Sequence, residues 1–492
     1  MKEFDALKPY LDKKRDLRYL SSIVYYDLQT KAPVQTIEKE SEIANGISAD
    51  IASISQDPEY IKTVKAFAAA NGKNPEQTRL AELLMEDISF MEKVTIEQYS
   101  AWNQAISASN AAWRKYRETN DFAAFLPYWE KAIKAQKEIC AIKKTDKQKT
   151  LYDVCLNDYE PGSTEEQVEG VFEPLKKALI EMLPRAMKRQ ESLDVPKVYP
   201  ISIAKQSELT PKLLKLIGYD LSRGAIAESA HPFSDSLSKH DARITTNYDL
   251  EDYHGNLSTV LHEGGHCMEF QNWPDSHYEN YVEMVATAAV CETHSRFYEN
   301  LLGKSKELAP VLLKLCQETF GGDFLKMSAE EFYNGENLVR PSLIRCDADE
   351  LTYSLHIIIR FEIERDLING KIEAKDVPAI WNAKYKEYLG IDVPSDKDGC
   401  MQDTHWSENL FGYFPSYALG NLYGAQILHK MKQDIDVHSC LKQGDLEPIR
   451  EWFATYDFAY DYLHPEDWIK KVTGEKLDAR YFIEYLQEKF LG

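Results

Sequence analysis

The chain has 492 residues, of which 58 are Lys or Arg and 80 are Asp or Glu, so its formal net charge is −22. This acidic balance disfavours binding to nucleic acid or to anionic membrane surfaces. No apolar run approaches the roughly 18 residues that a membrane span needs, and the first residues lack the apolar core of a signal peptide. The eight cysteines include no CxxC pair. We therefore expect a cytoplasmic protein without nucleic-acid or membrane partners.

Helical periodicity recurs along most of the chain, and strand-like alternation is rare. In chain order, we predict helices over residues 81–118, 164–189, 281–300, 348–368 and 478–490. Strands are predicted over residues 242–248 and 338–344. No shift of composition, internal repeat or low-complexity segment divides the chain. The sequence therefore predicts a mainly α fold and a single domain over residues 1–492.

The most informative segment is the pentapeptide His262-Glu263-Gly264-Gly265-His266, which begins a few residues after Asn256, a predicted helix cap. On a helix, histidines four residues apart leave the same face and can bind one divalent metal. Glu263 lies about 100° around the helix, where a carboxylate can take a proton from metal-bound water, as in zinc peptidases. The two glycines cost up to about 1 kcal/mol each in a helix, so we expect backbone close to substrate. The alternative is an ordinary buried helix with two hydrogen-bonded histidines.

A catalytic metal site of this kind usually has a third protein ligand and one open position. Glu292 lies in the next predicted helix and suits a ligand that arrives from a packed neighbour. Glu279 and Glu283 are the competitors, and for any one of these acids the alternative is a solvated helix face. Cys267 follows His266 directly and points about 100° away from it, so we do not expect a thiolate ligand.

Five ordered motifs carry a resemblance to the carboxypeptidase Taq family of metallocarboxypeptidases. The pentapeptide matches the family's HExxH; the other four are His231-Pro232-Phe233 (HPF), Asp241-Ala242-Arg243-Ile244-Thr245 (DxRxT), Ile344-Arg345-Cys346-Asp347-Ala348-Asp349 (IRxxAD) and Gly399-Cys400-Met401-Gln402-Asp403-Thr404-His405-Trp406 (GxxQDxHW). The resemblance runs through nearly the whole chain. It implies a largely helical single body with a deep active-site cleft, a small sheet beside the metal, Glu292 as third ligand and a homodimer.

The chain departs from the family around the proposed third ligand. Where the family has His-Glu-Ser-Gln-Ser, this chain reads Cys291-Glu292-Thr293-His294-Ser295. The ligand is retained, but the contacts that orient it are put in doubt, and with them the metal affinity. His294 is expected either to hydrogen-bond near the metal or to be a surface or structural histidine.

Hydrolysis also needs a partner for the developing oxyanion and, for a carboxypeptidase, a cation for the substrate's terminal carboxylate. The candidates for the first role are His231, His405, Tyr413 and Tyr417. For the second we choose Arg345, then Arg243, because the guanidinium fork can hold a carboxylate bidentately. The alternative for Arg345 is a structural pair with Asp347 or Asp349. We interpret Asp241 and Asp403 as groups that orient histidines or arginines.

The sequence thus predicts a metal-dependent carboxypeptidase that removes C-terminal residues from peptides with broad specificity, with Glu263 as general base. One divalent metal is expected, with zinc as the default and cobalt or manganese as alternatives. Peptides and a second copy of the chain are the expected partners. The alternative functions are a non-catalytic peptide-binding scaffold of the same fold and an oligopeptidase that cuts internally.

Overall fold

The computed structural model describes residues 1–196 and 200–492. Helices make up most of this part of the chain. Those before the sheet are α1 (Lys2–Thr30), α2 (Ile37–Gln56), α3 (Pro58–Ala69), α4 (Pro75–Lys93), α5 (Ile96–Glu118), α6 (Phe122–Lys143), α7 (Leu151–Asn157), α8 (Glu165–Gln190) and α9 (Ile203–Ile217). Those after it are α10 (Tyr253–Asn272), α11 (Asp275–Asn280), α12 (Ala288–Arg296), α13 (Ala309–Phe320), α14 (Ala329–Glu336), α15 (Glu350–Ile368), α16 (Val377–Leu389), α17 (Phe414–Asp434), α18 (Val437–Gln443), α19 (Glu447–Tyr456), α20 (Pro465–Thr473) and α21 (Arg480–Leu491).

A small sheet precedes α10 and fixes where that helix begins. Its strands are β1 (Ile226–Glu228), β2 (Ser234–Ser238) and β3 (Asp241–Thr246), in the order β1-β3-β2. The central strand β3 runs parallel to β1 and antiparallel to β2, with Ile244 opposite both Ile226 and Ser234. The predicted strand over residues 242–248 is confirmed, and the fold class, mainly α with a small sheet, is confirmed as well.

Two helices in the last third of the chain lie inside the protein. Every residue of α15 except Arg365 and Asp366 is buried, and α17 is buried along most of its length. A second, smaller apolar cluster joins α1, α3 and α4 to Val282 and Tyr462. In contrast, α2 has no buried residue. Among the described residues, no helix combines the length and the apolarity that crossing a bilayer requires.

Three of the predicted helices are confirmed: residues 164–189 form α8, residues 348–368 form α15 and residues 478–490 form α21, each within two residues of the predicted ends. The single helix predicted over residues 81–118 is wrong. The chain breaks at Val94, which is extended, and Thr95 then caps α5 in a reciprocal pair of hydrogen bonds with Gln98. A capping box of this kind begins a new helix even where the apolar pattern continues.

The predicted helix over residues 281–300 is only partly correct. Tyr281 and Met284 have φ values of 56° and 64°, in the left-handed region, so the chain turns between residues 281 and 287. The helix α12 begins at Ala288, and Thr287 caps it by accepting a hydrogen bond from the Val290 N–H. After Arg296 the turns widen into a π-helix, Phe297–Leu302. The apolar sequence pattern that predicted a helix continues through this turn, because Val282 is apolar for another reason: it packs into the smaller apolar cluster.

Two further predictions are wrong. Asp252, not Asn256, caps α10, and it accepts a hydrogen bond from the Gly255 N–H. Asn256 lies inside the helix and donates to the Thr246 hydroxyl at 2.8 Å, which ties α10 to β3. Residues 338–344 form no strand, because no strand of the described structure pairs with this segment.

Candidate metal centre

The structure brings His262, His266 and Glu292 together. One ligand atom from each lies within 4.8 Å of the other two, and His262 Nε2 is 3.9 Å from Glu292 Oε2. The histidines come from one face of α10, and Glu292 comes from α12, which packs against it. His262 and Glu292 keep 18% and 12% of their side-chain surface exposed, so they line a recess that solvent can enter.

This donor set fits one divalent metal with an open position. Two imidazoles and one carboxylate are ligands that zinc accepts in catalytic sites, and two such ligands on a tetrahedral ion lie roughly 3.4 Å apart. The separation of 3.9 Å between His262 and Glu292 needs only a small adjustment. Burial and the nearby His262 lower the pKa of His266 to about 3, so its imidazole is neutral and free to coordinate.

The two central glycines of the pentapeptide allow this close arrangement of helices. A Cβ at Gly265 would lie 2.8 Å from Ser295 Cα and 2.9 Å from the His294 carbonyl oxygen, both on α12. A Cβ at Gly264 would instead meet the side-chain ends of Ile217 and Leu214 on α9. The glycines are therefore explained by helix packing, and the close approach of substrate that the sequence suggested is not needed to account for them.

Glu263 lies beside the proposed ligands and is 8% exposed. Burial raises the pKa of its carboxyl, while His262 and a hydrogen bond with Ser234 of β2 act in the opposite direction. The sheet therefore holds the carboxylate through a side chain next to the His231-Pro232-Phe233 motif. A buried carboxylate with a raised pKa is a better proton acceptor than an exposed one.

Glu299 is a partner of the site that the sequence analysis missed. Its Oε2 lies 2.9 Å from Nδ1 of His262, and Arg296 Nη1 donates to the same oxygen at 3.2 Å. Burial alone would raise the pKa of Glu299, but Arg296, His262 and Lys304 outweigh it and hold that pKa well below its usual range. The sequence spacing could have indicated Glu299, because residues 292, 296 and 299 fall on one helix face. An ionised Glu299 fixes Nδ1 as the protonated nitrogen of His262 and leaves Nε2 for a metal.

An aromatic wall, formed by Tyr413, Tyr417 and His405, borders the centre on the α17 side. The rings of Tyr413 and Tyr417 are 5.2 Å apart, and His405 lies 5.6 Å from Tyr413 between centroids. His405 Nε2 is 3.4 Å from the Tyr417 hydroxyl. Burial lowers the pKa of His405 to about 4, so its ring is neutral near pH 7. On α17, Gly420 lets this wall approach α12, because a Cβ there would lie 2.9 Å from Glu292 Cβ.

The sequence of this chain matches one known family over nearly its whole length. Residues 6–490 match the family described as Carboxypeptidase Taq (M32) metallopeptidase. The chain belongs to this family. It is therefore a metallocarboxypeptidase, which requires a divalent metal and acts on peptides.

Individual relatives of this metallocarboxypeptidase agree with the family assignment. Carboxypeptidase 1 of Bacillus subtilis is 33% identical over 492 residues, which cover 98% of this chain and 97% of the relative. Thermostable carboxypeptidase 1 of Thermus thermophilus is 34% identical over 401 residues, 79% of this chain and 78% of the relative. The solved structure of Trypanosoma cruzi metallocarboxypeptidase 1 matches with a TM-score of 0.95 at 28% identity, covering 100% of both chains.

In this metallocarboxypeptidase both candidate arginines are already paired. Arg345 donates to Asp403 Oδ1 at 3.2 Å from Nε and 3.0 Å from Nη2, and to the Tyr353 hydroxyl at 3.1 Å. The acidic partner of Arg345 is thus neither Asp347 nor Asp349, so the alternative prediction of a structural pair with one of these two acids is wrong. The Arg345 guanidinium lies 5.0 Å from the Tyr417 ring, which places it at the aromatic wall. Arg360 holds the other oxygen of Asp403, at 2.6 Å.

Arg243 and His231 lie near the sheet. Arg243 makes a bidentate pair with Asp241, at 2.9 Å and 2.7 Å, and its guanidinium faces the Tyr26 ring at 5.0 Å. His231 is exposed in the turn between β1 and β2, and within the described ranges its ring has no hydrogen bond. Asp241 and Asp403 both orient arginines, as the sequence suggested for these acids.

The competing ligands lie elsewhere. Glu283 pairs with Arg15 at 2.8 Å, and Glu279 is exposed. The Cys267 thiol faces the Arg243 carbonyl oxygen at 3.8 Å.

Outside the metal centre, a separate cavity of about 1550 Å³ lies between α4, α8 and α20. None of the residues of the metal centre lines this cavity.

His294 is a fully buried histidine and not a surface one. Its Nδ1 lies 2.7 Å from Glu269 Oε2, and its Nε2 lies 2.9 Å from Asp457 Oδ1. Burial alone would lower the pKa of His294, but the two carboxylates outweigh it and raise that pKa to about 10. The ring is therefore an imidazolium that donates to both acids.

Proposed function

We propose that this metallocarboxypeptidase hydrolyses the last peptide bond of peptides with broad side-chain tolerance, using one metal held by His262, His266 and Glu292. The observation that carries this proposal is the approach of three ligand atoms from two packed helices to within 4.8 Å. When bound, a divalent metal lowers the pKa of a water ligand and polarises a carbonyl. Zinc is the proposed metal, and cobalt or manganese would suit the same donors.

Glu263 is the proposed general base. It lies next to His262 on α10, and burial raises the pKa of its carboxyl, which suits it to accept a proton near neutral pH. Its hydrogen bond with Ser234 orients the carboxylate without using a charged partner. The same group then returns the proton to the leaving amine, so one carboxylate serves both steps.

The aromatic wall is the proposed partner of the oxyanion. Tyr413 and Tyr417 are partly exposed and carry hydroxyl donors, and the neutral His405 offers an N–H. Donors fixed in this way act where negative charge develops, at no cost for reorganisation. His231, exposed at the edge of the sheet, remains a weaker candidate for the same role.

Arg345 is the proposed cation for the substrate's terminal carboxylate. It shares Asp403 with Arg360, so that two guanidinium groups face one acid and the local charge stays positive. Such an excess attracts a carboxylate even though Arg345 has a protein partner. Arg243, neutralised by a bidentate pair with Asp241, is the second choice.

One pair of assays tests the proposal. The metal content of the purified protein is measured by mass spectrometry, and cleavage of an N-blocked peptide is compared with cleavage of its C-amidated twin. We expect one divalent metal per chain, with rapid cleavage of the first peptide and none of the second. Equal cleavage of both peptides would instead support an internally cutting oligopeptidase, and no metal with no cleavage would support the scaffold.

Three further properties are proposed with this function. The catalytic domain spans residues 1–492, because residues 6–490 match a single family. The eight cysteines are free thiols, which suits the reducing cytoplasm. A homodimer is proposed from the family resemblance, and sedimentation of the purified protein tests it.

A further inference from the structure

A buried ionic cluster lies behind the proposed metal ligands. It consists of Glu269 on α10, His294 on α12 and Asp457, which follows α19. The three side chains have no exposed surface, and His294 bridges the two acids at 2.7 Å and 2.9 Å. The rings of Phe453, Phe458 and Trp468 meet the imidazole edge-on, with centroids 4.9–6.4 Å away, so its orientation is fixed.

Such a cluster is a poor source of stability. Removing charged groups from water costs several kcal/mol for each ion, and well-packed apolar side chains of similar volume are often as stable. Its contribution is geometric, because an imidazole ring hydrogen-bonded on both nitrogens links three elements of the chain at fixed distances.

The cluster acts on the two helices that carry the metal ligands. Glu269 follows His266 by about one helical turn, and His294 follows Glu292 by two residues. The two helices cross at Gly265, whose backbone packs directly against the carbonyl of His294 on α12. Near this crossing, the Cys291 thiol also faces Glu269 Oε1 at 3.9 Å. The Glu269–His294 bond therefore links α10 and α12 close to the proposed metal ligands.

We propose that the Glu269–His294–Asp457 cluster is a positioning clamp that sets the metal affinity of the centre by holding Glu292 against His262 and His266. The proposal rests on the proposed metal site and adds its regulation by residues that touch neither metal nor substrate. Groups that orient metal ligands typically change the affinity by 10–100-fold when they are removed.

The test compares three variants by their dissociation constant for Zn²⁺, measured by competition with a chromogenic chelator. Glu269→Leu removes the bond between α10 and α12 while leaving His294 paired with Asp457. Glu269→Gln keeps an oxygen that accepts from His294. His277→Gln is the matched control, since His277 is also fully buried between two acids, Glu76 and Asp461, but lies on α11.

We expect Glu269→Leu to weaken Zn²⁺ binding by about 10–100-fold, and Glu269→Gln and His277→Gln to stay within about threefold of the unmodified protein. At saturating Zn²⁺, kcat and KM of Glu269→Leu should return to within about threefold, because the clamp touches no reacting group. An unchanged Kd for Glu269→Leu, or an equal loss for His277→Gln, would overturn the clamp.

Folding and the proposed function are controlled separately. If circular dichroism shows that Glu269→Leu is unfolded, Glu269→Ala, which removes the same hydrogen bond with a smaller side chain, replaces it with the same expected loss and the same criterion. If the unmodified protein binds no Zn²⁺, the proposed metal site itself fails, and the clamp with it. If binding is present and His262→Ala abolishes it, while Glu269→Leu leaves the Kd unchanged, only the clamp is overturned.

Discussion

The Glu299 carboxylate lies 2.9 Å from Nδ1 of His262, where it can accept a hydrogen bond from an Nδ1–H, and Nε2 of the same ring faces Glu292 at 3.9 Å. Replacing Glu299 by Gln keeps an acceptor oxygen but removes the charge that makes the imidazole a stronger donor to a metal. We expect the Glu299→Gln variant to bind Zn²⁺ about 10-fold more weakly, measured by chelator competition. Glu318→Gln, an exposed acid on α13, is the control. Equal affinities for Glu299→Gln and the control would show that Glu299 does not tune the ligand.

Glu263→Gln separates metal binding from catalysis. The amide fills the same space but accepts no proton, so kcat should fall by about 10²–10⁴-fold while the Zn²⁺ content stays at the level of the unmodified protein. Steady-state hydrolysis of an N-blocked peptide, with metal analysis of the same sample, measures both. Glu279→Gln, at an exposed position of α11, should leave both unchanged. Loss of metal from Glu263→Gln would contradict the assignment of Glu263 as base.

The two pentapeptide glycines should tolerate alanine differently. At Gly265 a methyl group would meet the backbone of α12 at 2.8–2.9 Å, and the helices would have to separate. At Gly264 it would meet only the ends of Ile217 and Leu214, which can rotate away. We expect Gly265→Ala to lower the free energy of unfolding by about 2–3 kcal/mol and Gly264→Ala by less than about 1 kcal/mol. Urea unfolding measures this difference, and identical losses would argue against the backbone contact.

The proposed role of Arg345 in binding the substrate's terminal carboxylate is tested by the preference between two substrates and not by rate alone. Arg345→Gln should reduce the preference for a free C-terminal acid over its amide by at least about tenfold in kcat/KM, while Arg243→Gln should preserve it. The fold should survive, because Arg360 still pairs with Asp403 and leaves no buried acid unpaired. If Arg243→Gln removes the preference and Arg345→Gln does not, the two roles are exchanged.

Burial of Glu160 makes the stability depend on pH. Its carboxylate accepts from the Ala289 N–H and from the hydroxyls of Thr287 and Ser416, and burial raises its pKa from 4.5 to about 7. The folded chain therefore binds this proton more tightly than the unfolded chain. The resulting stability is fully present below pH 4.5 and is lost as the pH rises through 7.

Glu160→Gln removes this dependence, because the amide keeps an acceptor for Ala289 and can donate to a hydroxyl. Relative to the variant, the unmodified protein should lose about 3 kcal/mol of unfolding free energy between pH 4.5 and pH 8. Urea unfolding at several pH values measures this difference. A parallel pH dependence in both proteins would contradict a raised pKa for Glu160.

The sequence predicted the parts of the fold and site that depend on local pattern. The positions of α8, α15 and α21 followed from apolar periodicity, and the HExxH spacing placed both histidines on one face of α10. It missed what depends on contacts between distant segments or on backbone conformation. The left-handed residues Tyr281 and Met284 interrupt a continuous apolar pattern, and no local signal distinguishes them from helix. Asp403 was expected to orient a histidine or an arginine, but the identity of its partner, Arg345, was hidden because 58 positions separate the two residues.

The α10–α12 pair gathers the proposed metal ligands from a short stretch of chain. Only 30 positions separate His262 from Glu292, whereas 256 separate Glu160 from Ser416 at the start of the helix that carries the aromatic wall. Short-range contacts form early in folding, and distant ones must wait for the chain to collapse. We therefore expect a partly unfolded molecule to bind a metal at the proposed ligands before its aromatic wall is in place, in which case metal content alone would not report native enzyme.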